Sequence, residues 1–137
     1  MNFPGTNLSL KRVGVAVLVL LVLDVLWIWF YMGGLYGKMV PRIQGCELQM
    51  NVISAGIAYL LMVIALIYLV LPNIRSSPSH RLSDSLRYGA LFGLVAYGIY
   101  DFTAGAVFKN WDFKLAVIDV AWGAFVYTIT SYIASMV

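Results

Sequence analysis

The chain has one cysteine, Cys46, one histidine, His80, and only 15 charged residues in 137. One cysteine cannot pair within the chain, so a disulfide scaffold is excluded. A lone histidine with no second His or Cys near it offers no metal-binding spacing. Charged residues make up 11% and hydrophobic residues 62%, whereas soluble domains carry roughly 25% charge and 45–50% apolar residues. The same balance excludes disorder, whose signature is low hydrophobicity with high charge. The net charge of +3 comes from scattered Lys and Arg without a basic run, so no nucleic-acid partner is expected. The sequence has no phosphate-binding loop, zinc motif or nucleophile elbow, and no metal or cofactor is expected.

What the chain has is long apolar runs. A helix crossing a bilayer needs about 20 mostly apolar residues. Four stretches qualify: Val13–Met32, Val52–Leu71, Leu86–Phe108 and Leu115–Ser135. The connections between them are too short for a soluble domain. Residues 1–137 therefore read as one all-α, four-span membrane domain, a four-helix bundle with the lipid bilayer as its first partner. Lys11 and Arg12 precede the first run as they would in a signal peptide. That run is longer than an h-region of about 7–15 residues, contains Asp24, and is not followed at once by a small-residue cleavage site, so it reads as a retained span.

Four spans put both termini on one side. That side holds Lys11, Arg12, Arg75, Arg81 and Arg87; the other holds Lys38, Arg42, Lys109 and Lys114. The excess favours an N-in, C-in orientation. Pro72-Asn73 is expected to end the second helix, and Ser83 or Asp84 to cap the third. Gly33-Gly34 is expected to loosen the end of the first helix, with Gly33 and Gly37 in a loop and Pro41–Met50 along the membrane surface.

Three of the six acids, Asp24, Asp101 and Asp119, fall inside spans with no Lys or Arg at their depth. Counted from the helix ends on the non-terminal side, they lie roughly 12, 10 and 6 Å deep, at about 1.5 Å per residue. All three thus share one half of the membrane. The third span repeats Gly89, Gly93, Tyr97, Asp101 and Gly105 every four residues, and the fourth carries Asp119, Gly123, Tyr127 and Thr130. Small residues at this spacing let helices approach closely and turn both acids inward. The first span also contains Asp24-Val25-Leu26-Trp27, echoed by Asp119-Val120-Ala121-Trp122 in the fourth. The i to i+3 spacing puts acid and indole on one helix face. Trp29 and Trp111 read as an aromatic belt.

The expected polar core is Asp24, Asp101, Asp119, Trp27, Trp122 and Thr103, with Gly89, Gly93, Gly105 and Gly123 packing the helices. An intramembrane acid can join helices, hold a ligand or headgroup, or carry protons. The leading reading is the first: a non-enzymatic protein that packs, anchors or organises within its membrane, with other membrane or structural proteins or further copies of itself as partners. The second is a lipid-binding or lipid-modifying enzyme or accessory factor. The third is a small proton-coupled carrier, which would need an oligomer to have room for a pathway.

Three segments carry a family resemblance: Leu23-Asp24-Val25-Leu26-Trp27; Gly89 to Tyr97 continuing to Tyr100-Asp101-Phe102-Thr103; and Asp119-Val120-Ala121-Trp122-Gly123. Together they resemble the DUF2177 family of small membrane proteins, over nearly the whole chain from about Leu20 to Ile133. The resemblance implies four membrane helices and carries no activity with it. Similar sequences commonly place Asn after the Tyr-Asp-x-Thr motif, where this chain has Ala104. Relatives occur beside lipid-modifying genes in bacteria and in large DNA viruses. The resemblance therefore implies either a lipid-directed role or a membrane-anchored structural role, in a host or virion membrane.

A carboxyl without a cation in an apolar setting favours its neutral form. At least one of the three aspartates is thus expected to hold its proton at pH 7. Infrared spectra of the carboxyl stretch across a pH series check this; three ionised carboxylates at pH 7 would refute it.

Overall fold

The computed structural model describes residues 8–137. Four helices are long and apolar enough to cross a membrane: α1 (Leu10–Gln44), α2 (Val52–Asn73), α3 (Arg81–Val107) and α4 (Phe113–Ala134). No strand occurs among the described residues. Large apolar side chains stand outward along the helices, among them Phe30, Leu60, Leu91 and Phe125. An outer surface of this kind suits lipid rather than water. The protein is an integral, multi-pass membrane protein.

Local chemistry starts three of the helices. Ser9 Oγ accepts from the Arg12 amide at 3.1 Å, and Asn51 Oδ1 accepts from Ser54 N at 3.0 Å. Asp112 Oδ1 accepts from Lys114 N and Leu115 N at 2.9 and 3.2 Å. Each satisfies an amide that the first turn leaves without a partner. The third helix departs from expectation, because it begins after His80 with no side-chain cap. Ser83 Oγ instead donates to the His80 carbonyl, and Asp84 turns back to Arg75. The Arg75 guanidinium donates to Asp84 through Nε at 2.8 Å and Nη2 at 2.9 Å, and its amide adds a third bond at 3.0 Å. A bidentate arginine pair outcompetes a helix cap for the carboxylate.

Gly33 and Gly34 do not end the first helix. It runs on for another 12 residues, Gly33–Gln44, past Gly37 and Pro41, and stops at Gly45, whose φ of 77° is left-handed. Only the residues after Gln44 leave the helix before α2. The extension holds because it is amphipathic: Met39 is buried with Met32 and Leu115, and Leu35, Tyr36, Ile43 and Trp111 pack around them. Tertiary packing here overrides the weak helix propensity of glycine. Trp111, expected in an interfacial belt, sits between Tyr36, Tyr100 and Phe108 in this cluster.

Helices α3 and α4 are antiparallel neighbours joined by a short turn in which Asn110 takes a φ of 71°. Their contact is backbone on backbone. A Cβ on Gly93 would collide with the Gly123 carbonyl, and one on Gly123 would meet the Tyr97 ring and lie 2.8 Å from the Gly93 oxygen. A Cβ on Gly89 would lie 2.8 Å from both Ser131 Oγ and Tyr127 O. Gly105 differs from these, since its nearest neighbour is Trp111 of the turn, not α4.

Helix α2 is held at one end. Between Val52 and Ala65 it buries no residue, while Leu66, Val70, Leu71 and the following Ile74 join the main core beside Ala16, Leu20 and Val126. Arg12, fully buried, donates from Nη2 to the Ile74 carbonyl at 2.6 Å and clamps the same end to α1. Helix α2 has no extended backbone packing against α3 or α4. A gap is left beside its middle, along Ala58 to Leu69.

The glycine contact is directly testable. Gly93→Ala forces a methyl into a backbone carbonyl and should lower stability by about 1–3 kcal/mol, the usual range for overpacking. Gly98→Ala, whose Cβ would meet only Val120 methyls at 4.0 Å, should be tolerated. Reversible unfolding of both variants in mixed micelles measures the difference.

Candidate functional site

Asp24 is the centre of the polar core. Its carboxylate accepts one hydrogen bond from each of the other three helices. Tyr59 Oη of α2 donates to Oδ2 at 3.0 Å, Tyr97 Oη of α3 to Oδ1 at 2.9 Å, and Trp122 Nε1 of α4 to Oδ1 at 3.2 Å. Asp24 is 5% exposed.

The two Asp-Val-x-Trp segments meet here, and they cross over. Trp122, in the segment of Asp119, donates to Asp24. Trp27, in the segment of Asp24, donates to Asp119 Oδ1 at 3.1 Å. The two indoles lie face to face, with ring centroids 4.4 Å apart and planes within 3°. The crossing follows from geometry: acid and indole share one face on each helix, and the two helices are antiparallel. The acid of each segment thus falls opposite the indole of the other.

Asp101 is fully buried on α3, and neither of its carboxyl oxygens has a donor. Its neighbour is the carboxyl of Asp119. A proton on either acid would let one donate to the other, which is the arrangement that an enclosed carboxyl pair needs. Ala104, one turn along, is also buried. An amide there would have entered this same core.

Five of the six expected core residues thus come together: Asp24, Asp101, Asp119, Trp27 and Trp122. Thr103 does not. It is exposed on the outer face of α3, beside Phe102 and Gly98 along a shallow apolar groove. The inward face of α3 carries Gly93, Tyr97, Asp101 and Ala104, and two residues beyond Asp101 the helix has turned by about 200°. Tyr59 is a donor that the sequence pattern did not single out. Its signal was available, since it is the one tyrosine in the first half of the second span, at the depth of the aspartates.

Around this core lies a cavity of about 830 Å³ bordered by all four helices. Asp24, Trp27, Tyr36, Tyr97 and Asp119 line its inner side, and Ala58, Leu61, Ala65 and Leu69 of α2 form an apolar wall. Leu61, Leu69 and Tyr100 are each more than half exposed, at 60%, 59% and 55%. The cavity opens sideways, where α2 stands off from α3. Two π-helical turns, Ile28–Met32 and Leu66–Val70, contribute Ile28, Met32, Tyr68 and Leu69 to its lining. Such turns widen a helix locally and are frequent at functional sites.

Four membrane-spanning helices around a buried carboxyl cluster define a small polytopic membrane protein. The model of the family described as predicted membrane proteins, DUF2177, matches residues 9–136, and the chain belongs to that family. No curated protein and no solved structure is found to match it.

The asymmetry among the aspartates gives a stability ranking. Asp24→Ala leaves three donors without their acceptor and should cost about 2–4 kcal/mol, with unmet buried donors at about 1–3 and membrane hydrogen bonds at about 0.6–2 kcal/mol each. Asp24→Asn, which keeps one acceptor oxygen, should cost less. Asp119→Ala frees one donor, the Trp27 indole, and removes the carboxyl neighbour of Asp101, and should cost about 1–2 kcal/mol. Micelle unfolding of the three variants checks the order.

Proposed function

We propose that this protein binds a lipid-like amphiphile in the side cavity between α1, α2 and α3. The observation that carries the reading is the cavity itself: about 830 Å³, bordered by every span, with an apolar wall facing two carboxyls. Ligand pockets are commonly about 300–1,000 Å³, mostly apolar, with a few converging polar groups. A pocket that opens sideways within membrane-spanning helices receives its ligand from the bilayer. The hydrocarbon chain would lie along Ala58, Leu61, Ala65 and Leu69, and the polar end would face Asp119.

The Asp24 knot on its own suits a structural or anchoring role, because its three hydrogen bonds serve the bundle. That role leaves the cavity without a purpose. The same knot argues against Asp24 as an acid–base group, since its oxygens are committed to Tyr59, Tyr97 and Trp122. Binding, rather than chemistry at Asp24, is therefore the reading favoured for the site.

Filling the cavity tests this. Delipidated protein should bind one oleyl alcohol per chain by native mass spectrometry. Ala96→Phe and Ala65→Phe, both at the cavity wall, should weaken that binding at least tenfold with the circular dichroism of the fold unchanged. Equal binding by folded variants and the unmodified protein would overturn the reading.

A further inference from the structure

We infer that the occupant of this cavity is a cationic, phosphate-free amphiphile: a long-chain amine whose ammonium group sits against Asp119. The inference rests on the lipid-binding reading above and adds the chemistry of the head group. No Lys, Arg or His lines the cavity, while Asp24 and Asp119 both do. The third acid, Asp101, neighbours Asp119 and does not line the cavity. The charge of the site is thus of one sign only, and its complement is a cation.

The hydrogen bonds select the acid. Asp24 is already occupied by three donors. Asp119 takes a single conventional donor, Trp27 Nε1, on one oxygen. An ionised carboxyl has about four acceptor positions, so of the two acids lining the cavity Asp119 has the larger capacity left for a ligand. An ammonium carries three donors and no acceptor, which matches a carboxyl short of donors. Tyr36, Tyr59, Tyr97 and Tyr100 line the same cavity. Aromatic rings attract a cation within about 6 Å of the ring face, and a partly dry site strengthens that attraction. A phosphate would meet the opposite conditions, with two carboxyls repelling it and no basic side chain to receive it. This argues against zwitterionic phospholipids and for a simple amine on a hydrocarbon chain.

The test compares three probes of equal chain length on the whole protein: oleylamine, oleyl alcohol and oleate. Affinity is read by native mass spectrometry and by the rise in Tm. Oleylamine should bind at least tenfold more tightly than oleyl alcohol, with oleate weakest, and Asp119→Asn should abolish the difference between amine and alcohol. Equal affinity for amine and alcohol would overturn the cationic head group while leaving the amphiphile cavity standing. An unchanged amine preference in Asp119→Asn would overturn the assignment to Asp119. Tighter binding of oleoyl-lysophosphatidylethanolamine than of oleylamine would overturn the phosphate-free claim. Binding of none of the probes would overturn both readings. Should Asp119→Asn fail to fold, the comparison of the three probes on the unmodified protein still decides the head group.

Discussion

One carboxylate ties the four helices together. Within lipid there is no hydrophobic drive between helices, because acyl chains are as apolar as leucine. Orientation must come from close packing and from polar groups whose alternative is an unmet hydrogen bond. Asp24 supplies the second of these, with one donor each from α2, α3 and α4. Each bond fixes the rotation of one helix relative to α1, and together they fix depth as well. The stacked Trp27 and Trp122 rings complete the join between α1 and α4, since each indole also reaches the other segment's aspartate.

Close packing does the rest, and it is unevenly distributed. Helices α3 and α4 touch through glycine backbones, with Gly93 against Gly123 and Gly89 against Tyr127. Helix α2 instead is held at its last turns, by Leu66, Val70 and Leu71, by the Arg12 bond to Ile74, and by the Arg75–Asp84 pair in the loop beyond. All of these ties lie at the terminal side of the bundle. Two hydrogen bonds fasten the first half of α2: Tyr59 donates to Asp24, and Tyr127 of α4 donates to the Met62 carbonyl at 3.3 Å. The cavity follows from this arrangement, because a helix clamped at one end and pinned only by single hydrogen bonds leaves space beside the pins. The residue that organises the fold is thus also the one that borders the opening.

The sequence was most legible where polarity is costly. An aspartate inside a span has to find partners, so Asp24, Asp101 and Asp119 could be singled out and turned inward from their positions in the spans alone. The four-residue glycine spacing likewise marked the α3–α4 contact at Gly89, Gly93 and Gly123. Other features depended on three-dimensional neighbours. Thr103 looked like part of the core because it follows Asp101 closely, yet two residues of helix carried it to the outer face. Gly33, Gly34 and Gly37 looked like a helix end, and only the packing of Met39 and Tyr36 beneath the α3–α4 turn kept them helical. The echo of the two Asp-Val-x-Trp segments was visible as text, but its crossed pairing required knowing that α1 and α4 lie side by side. Tyr59 stayed hidden because a tyrosine in a span carries far less signal than a charge. The cavity was not readable at all, since it is defined by what α2 fails to touch.

The three acids end in three different situations, although the sequence presents them alike. Asp24 is committed to the bundle by its three donors. Asp101 is fully buried on α3, with no donor and a carboxyl for a neighbour. Asp119 stands between these extremes: it neighbours Asp101, takes one bond from Trp27, and borders the cavity. A group entering the cavity from the lipid would meet Asp119 and not Asp101, which does not line it. One side chain therefore joins the cavity to the buried acid.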